Sequence, residues 1–190
     1  MHPKIDNFSV VTPGVLWRGA RPGKQGVEWL VRSQVRTLVN LELVTDDLPT
    51  FGSIEVGAAV SQEIGYFRIR DWEPLPLLAP FLVDDNVARF LAIVTQQPKP
   101  VFVHCRTGRN RTGRMVAAYR IIVERASIED AVAEMACYCG EWLYADARYI
   151  RGLSLEHMEK ILRQAQEWAA RLKPTATIVL NGGKCRVVDG

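Results

Sequence analysis

The chain has 190 residues, 48% hydrophobic and 24% charged, with a formal net charge of +3. Its length fits one domain, or one domain with an appendage, and its composition excludes a disordered chain, which lacks the apolar residues that offset ordering entropy. The small net charge gives no reason to expect a nucleic-acid partner, though it leaves room for a local basic pocket.

Val10-Val11-Thr12, the turn signal Pro13-Gly14 and Val15-Leu16-Trp17 predict an opening hairpin. Gly23 to Arg32 reads as a short helix, and Val35 to Val44, rich in β-formers, as a buried strand. Tyr66 to Arg70 alternates like a second strand. Asp84 to Gln96 carries apolar residues at 87, 90, 91 and 94, a helical spacing. Val101-Phe102-Val103 reads as a central strand. Arg111 to Glu124 places Met115, Ala118, Tyr119 and Ile122 on one helical face. Ser127 with Asp130 is a capping-box pattern for a helix through about Tyr138, ended by Gly140. Ser154 caps a longer helix with Leu155, Met158, Ile161, Leu162, Ala165, Trp168 and Leu172 as its stripe, stopped by Pro174. The tail pairs Ile178-Val179-Leu180 with Cys185 to Val188 across Asn181-Gly182-Gly183. That is a hairpin signal, either an added pair of strands or a flexible tail. The order predicts an α/β fold, a central sheet flanked by helices.

The longest apolar run, Pro74 to Val83, is broken by Pro74, Pro76 and Pro80. A spanning helix needs about 20 apolar residues, so no integral membrane segment is expected. Met1 to Asp6 shows no signal-peptide pattern. The cysteines, at 105, 137, 139 and 185, form no disulfide framework. With histidines only at 2, 104 and 157, no metal site is expected. A reducing, cytoplasmic compartment with free thiols follows.

The segment Val101 to Gly113 carries the chemistry. A buried strand runs into Cys105, then a short loop, then a helix starting near Arg111. Loop amides and the helix N-terminus form an anion site, where the helix dipole and guanidinium groups favour a thiolate. Arg111 can bind two oxyanion oxygens in fork geometry. The Thr112 hydroxyl can donate to the sulfur, and Gly108 lets the backbone turn and approach a ligand closely.

His104, Cys105, Gly108, Arg111, Thr112 and Gly113 reproduce the His-Cys-x5-Arg-Thr-Gly signature. The chain thereby resembles the cysteine-dependent phosphatases of the protein-tyrosine and dual-specificity class. Leu16-Trp17-Arg18-Gly19-Ala20-Arg21-Pro22 is similar to an early segment of the small atypical dual-specificity phosphatases, and the likeness spans residues 8–172. Rhodanese-like sulfurtransferases and low-molecular-weight phosphatases fit less well, the latter because their loop lies near the N-terminus.

The resemblance implies a protein-tyrosine-phosphatase-like fold, with a catalytic domain over residues 1–173 and a tail over 174–190. It also implies two-step phosphoryl transfer without a cofactor. Cys105 attacks phosphorus, while Arg111 and the loop of Arg106, Thr107, Gly108, Arg109 and Asn110 hold the oxygens. His104 and Gly113 support the loop, His104 by hydrogen-bonding its backbone. A general acid is implied well upstream. Asp71 lies 34 residues before Cys105, on a turn stiffened by Pro74 and Pro76. Glu73 is its rival, then Asp84 or Asp85.

Other features have plainer readings. Trp17, Trp29, Trp142 and Trp168 are packing residues, and His157 is an exposed helix residue. Cys137 and Cys139 are buried or partly buried free thiols, with a resolving thiol as the alternative. Arg114, Arg120 and Arg125 read as a solvated helix face. Arg106 and Arg109 lie inside the loop and can rim the pocket, with Arg18, Arg21 and Lys24 as further candidates. The expected protein is a monomeric phosphatase of phosphomonoesters on phosphoproteins. The alternatives are the same chemistry on phosphoinositides or inositol phosphates, and an inactive phospho-binding pseudophosphatase.

Overall fold

The computed structural model describes residues 3–55, 57, 59–138 and 143–190. The opening hairpin forms, with Ser9–Thr12 (β1) antiparallel to Leu16–Ala20 (β2). Three further strands, Thr37–Glu42 (β3), Gln62–Asp71 (β4) and Val101–Cys105 (β5), run parallel to β2. β3 is shorter than the β-forming run that predicts it. Leu43 and Val44 leave the sheet and are exposed, beyond an irregularity in the β3–β4 register.

Lys24–Arg32 (α1) and Leu48–Gly52 (α2) follow β2 and β3. Leu75–Leu78 (α3) and Pro80–Gln96 (α4) link β4 to β5. Asn110–Ile122 (α5), Ile128–Ala136 (α6), Leu143–Arg151 (α7) and Leu155–Arg171 (α8) complete the helical half. Both predicted serine caps are made. Ser127 Oγ accepts from the Asp130 amide at 3.1 Å and Ser154 Oγ from the His157 amide at 3.2 Å. Leu155, assigned to the apolar stripe of α8, is exposed instead. The elements α2, α3 and α7 were not legible. The first two are single turns opened by proline, and in α7 the buried Asp146 interrupts the apolar stripe that would mark a helix. The expectations for His2, Cys139, Gly140 and Trp142 fall outside the described residues.

The tail adds two strands. Ala176–Asn181 (β6) pairs antiparallel with β4, and Lys184–Asp189 (β7) with β6. Gly182 and Gly183 turn the hairpin at φ +57° and +82°, the left-handed pair that a two-residue hairpin turn favours. The seven-stranded sheet therefore has the order β1-β2-β5-β3-β4-β6-β7.

Strand alternation sorts the core into two clusters. Val39, Leu41, Phe67, Ile69, Val101, Val103 and Cys105 pack with residues of α4 to α8. Leu38, Ile64, Tyr66 and Phe102 pack on the other face with residues of α1 and α2. Each fully buried large apolar side chain contributes about 1.5–3 kcal/mol. Both faces of β5 are therefore anchored, and the loop leaving it starts from a fixed point.

Candidate active site

Cys105 ends β5 and is 1% exposed, on the face covered by the helices. The chain then turns through residues 106–109 and enters α5 at Asn110. Gly108 makes that turn at φ +69°. A Cβ there would lie 2.5 Å from the carbonyl carbon of Gly19 and 2.6 Å from the Ala20 nitrogen. The loop is thus pressed against β2 at a point where only glycine fits. At Gly113 a Cβ would meet nothing nearer than 3.8 Å, so no steric demand fixes glycine there.

The loop carbonyls are tied to donors outside the loop. Asn7 Nδ2 donates to Thr107 O at 2.8 Å, and Arg18 Nη2 donates to Gly108 O at 2.7 Å. The Arg21 amide reaches Arg106 O at 3.5 Å. In each peptide plane the following N–H points opposite to the carbonyl. The amides of Thr107, Gly108 and Arg109 are therefore turned away from these partners, beside the N-terminus of α5. Amides arranged in this way beside a helix N-terminus have the geometry to accept an anion.

Arg18, expected as a rim candidate, instead lies beneath the loop. It is fully buried and stacks on Tyr138 at 3.6 Å, because strand alternation puts it on the face of Val103 and Cys105. Burial pulls its pKa below the ordinary value, while Tyr138, Glu134 and Cys105 oppose that shift. Arg106 and Arg109 are exposed, and Arg21 lies 3.6 Å from Glu42.

Arg111 is almost fully buried. Its Nη1 donates to Leu41 O at 3.3 Å and Asp71 O at 3.4 Å. Its Nη2 pairs with Glu73 Oε1 at 2.6 Å, and its Nε is buried without a partner. The Thr112 hydroxyl, expected to donate to the sulfur, is buried with no hydrogen-bond partner. A thiol is a weak acceptor and exerts little hold on it.

His104 also departs from expectation. Its Nε2 shares a 2.8 Å hydrogen bond with Asp47 Oδ2, and its Nδ1 has no partner. It does not bond the loop backbone because alternation along β5 turns it to the opposite face from Cys105. Asn40 Nδ2 donates to the same Asp47 oxygen at 2.7 Å, and the Tyr66 hydroxyl lies 3.5 Å from it. Burial, aided by Asp47, pushes the Tyr66 phenol well above its usual range.

Among the acid candidates, Asp71 is fully buried at the end of β4. Its carboxylate accepts from Arg114 Nη2 at 2.7 Å, the Trp72 amide at 2.9 Å and Asn86 Nδ2 at 3.2 Å. Arg114 also pairs with Asp146. Arg114 is therefore no solvated helix residue. Burial alone would lower it, but Asp71 and Asp146 together hold it above its ordinary value. Burial pushes Asp146 up to about 6, against the attraction of Arg114. Glu73 reaches Arg111 and is partly exposed. Asp84 is bound by the Tyr149 hydroxyl at 2.9 Å, His157 Nε2 at 2.8 Å and Lys160 Nζ at 3.3 Å. Asp85 accepts from Trp168 Nε1 at 2.8 Å. Both therefore pin α4 to α8, and Asp84 also binds α7. His157, read as exposed, is half-buried by its Asp84 bond, and Cys137, read as buried or partly buried, is exposed. Among the described residues no group of His, Cys, Asp and Glu could hold a metal ion, and no helix is long and apolar enough to cross a membrane.

Strand, cysteine loop, helix and buried arginine together define a dual-specificity-type phosphatase architecture. Residues 2–152 match the family described as DSP-PTPase phosphatase fused to NAD+ kinase, and the chain belongs to that family. It is 33% identical over 120 residues to the dual specificity protein phosphatase TpbA of Pseudomonas aeruginosa, covering 63% of this chain and 49% of TpbA. It thus spans about half the length of that relative. It is also 32% identical over 132 residues to the probable chloroplastic NAD kinase 2 of rice, covering 64% of this chain and 12% of the rice protein. The crystal structure of TpbA superposes with a TM-score of 0.66 at 26% identity, covering 86% of this chain and 94% of that one. The catalytic domain of the yeast (S. cerevisiae) PP-IP phosphatase SIW14 shares the fold, with a TM-score of 0.58 at 15% identity over 86% of this chain and 94% of that one.

Proposed function

We propose that the protein hydrolyses phosphomonoesters through a phosphocysteine intermediate, with phosphotyrosine its leading substrate. The outward-tied carbonyls of Thr107 and Gly108 carry this reading, because they leave a nest of amides over a buried cysteine and beside a helix N-terminus. The Cys105 sulfur attacks phosphorus, and the bond to the leaving oxygen breaks. Loop amides and Arg111 hold the three equatorial oxygens as charge redistributes. A carboxyl group at the end of β4 or on the turn that follows, Asp71 or Glu73, supplies the proton. It then takes one from the water that releases phosphate from sulfur. A variant of the relative TpbA crystallises in complex with phosphotyrosine, at 25% identity to this chain and a TM-score of 0.64, which supports an aromatic phosphomonoester here. The catalytic domain is residues 1–173, acting as a monomer in the cytoplasm, where a reducing poise keeps Cys105 a free thiol.

Metal-free turnover of an aryl phosphate is the test. Cys105→Ser should abolish release of phosphate while retaining oxyanion binding, and Arg111→Lys should be severely impaired because a point charge cannot replace the fork. Near-normal turnover by Cys105→Ser would sink the covalent mechanism.

The exposed Arg106 and Arg109 favour a second reading, in which the substrate is a phosphoinositide or inositol polyphosphate with phosphates beyond the one cleaved. Replacing both with alanine should then lower efficiency on such substrates at least tenfold, since a hydrogen bond to a charged group contributes about 1.5–3 kcal/mol. Equal loss on singly phosphorylated tyrosine peptides would return the assignment to phosphoproteins.

A further inference from the structure

We infer that Glu73, and not Asp71, is the proton donor and acceptor of this site, an inference that rests on the phosphatase reading above. The argument begins with the edges of one guanidinium group. The Nη1 of Arg111 is committed to the carbonyls of Leu41 and Asp71. The remaining edge is the Nε and Nη2 pair, the geometry that takes two oxygens of one anion. On that edge Nε is buried and unpartnered, while Nη2 holds Glu73 Oε1 at 2.6 Å. Glu73 thus occupies half of the docking edge of the arginine, and a phosphate that docks there arrives within contact distance of its carboxylate.

A phosphate docked on the Nε–Nη2 edge takes the place of Glu73 Oε1 at Nη2 and leaves the Glu73 carboxyl group beside the leaving oxygen. In the first step the Sγ–P bond forms, the bond from phosphorus to the leaving oxygen breaks, and the Glu73 proton passes to that oxygen. In the second step Glu73 carboxylate takes a proton from water, the water oxygen bonds to phosphorus, and the S–P bond breaks.

Asp71 is placed for a different task. Its carboxylate is fully buried and accepts from Arg114, Asn86 and the Trp72 amide. Only its backbone carbonyl touches Arg111. To deliver a proton from there, Oδ1 would have to give up the Trp72 amide and Asn86, or Oδ2 would have to give up Arg114 and leave it to Asp146 alone. Asp71 positions the turn on which Glu73 sits, two residues further on.

The experiment is a leaving-group series on the full chain, from phenyl phosphate to phosphates of acidic phenols whose anions leave unaided. Glu73→Gln should lose about 100- to 10,000-fold on phenyl phosphate and less than tenfold on the most acidic phenol. Glu73→Asp should recover part of the loss. Asp71→Asn should lower turnover evenly across the series, in step with its loss of thermal stability. An even loss for Glu73→Gln, or a leaving-group dependence that appears in Asp71→Asn instead, overturns the assignment. The Cys105→Ser control separates this from failure of the phosphatase reading, since turnover that survives it refutes covalent catalysis whatever Glu73 does.

Discussion

Two buried polar networks flank the cysteine loop, one on each face of the sheet, and they are built differently. On the α1–α2 face, His104, Asp47, Asn40 and Tyr66 share hydrogen bonds around a single carboxylate. On the helical face, Arg114 lies between two buried carboxylates, Asp71 and Asp146. The first network holds the residue before Cys105, and the second holds the helix that carries Arg111. In the first, alternative donors remain if one partner is lost. In the second, loss of the arginine leaves two charges in a low-dielectric interior with nothing to balance them. The difference teaches that the start of the loop is fixed by hydrogen-bond geometry and its end by charge balance.

That contrast can be broken experimentally, and the largest effect is expected at Arg114. Arg114→Met should destabilise the protein by about 3–5 kcal/mol, as removal of one partner from a buried ion network does. Denaturant melts would report it, and a loss under 1 kcal/mol would refute the charge-balance account. Gly108→Ala comes next, because its Cβ would collide with backbone that cannot give way. Turnover should fall at least tenfold, while Gly113→Ala, whose Cβ meets only ordinary contacts, should stay within threefold. Similar losses in the two variants would show that the loop's fit against β2 does not govern activity.

Asp47→Asn tests the other network. The amide keeps a similar shape but changes the charge seen by His104, Asn40 and Tyr66, and the expected loss is about 1–3 kcal/mol, smaller than for Arg114→Met. A reversed ranking would reverse the comparison. The smallest effect is a slope. Asp146 holds its proton up to about pH 6 in the folded protein, whereas an unfolded aspartate releases it near about pH 4. The folded state therefore binds the extra proton between those values. This contribution to stability is complete below about pH 4 and disappears as pH rises through 6. Asp146→Asn should flatten the stability–pH curve in that window, by at most about 1.4 kcal/mol per pH unit. A wild-type slope that persists in the variant would assign it elsewhere.

The contrast between the two networks also marks the boundary of sequence reading. The spacing of Cys105, Gly108, Arg111 and Gly113 exposed the loop, and the short apolar run Val101-Phe102-Val103 after Pro98 and Pro100 exposed the central strand, because both depend on neighbours a few residues apart. The serine caps and the glycine turn of the tail were legible for the same reason. The partners of Arg114 were not, since Asp71 is 43 residues away and Asp146 is 32. One clue was available: Met115 to Tyr119 and Ile121 to Val123 are apolar without a polar stripe between them, which marks a helix buried almost all round, and a charge on such a helix has to be paired. Asn7 gave no signal, because a polar residue ahead of β1 carries nothing that announces a bond to Thr107 across 100 residues.

The sequence by itself marked Cys105 as the candidate nucleophile and Arg111 as the candidate oxyanion-binding arginine, through a signature that resembles the family's, and it showed the glycine that lets the loop turn and the α/β arrangement through local spacing and periodicity. Only the tertiary structure decided which face each side chain took and which distant partner it met. It put Arg18 under the loop instead of at its rim, gave His104 to Asp47, and turned Asp71 toward Arg114 while Glu73 reached Arg111. The physical reason is the range of the interactions. Turn and strand preferences act between adjacent residues, whereas the pairing of a buried charge depends on which charges the folded sheet and helices bring within a few ångströms.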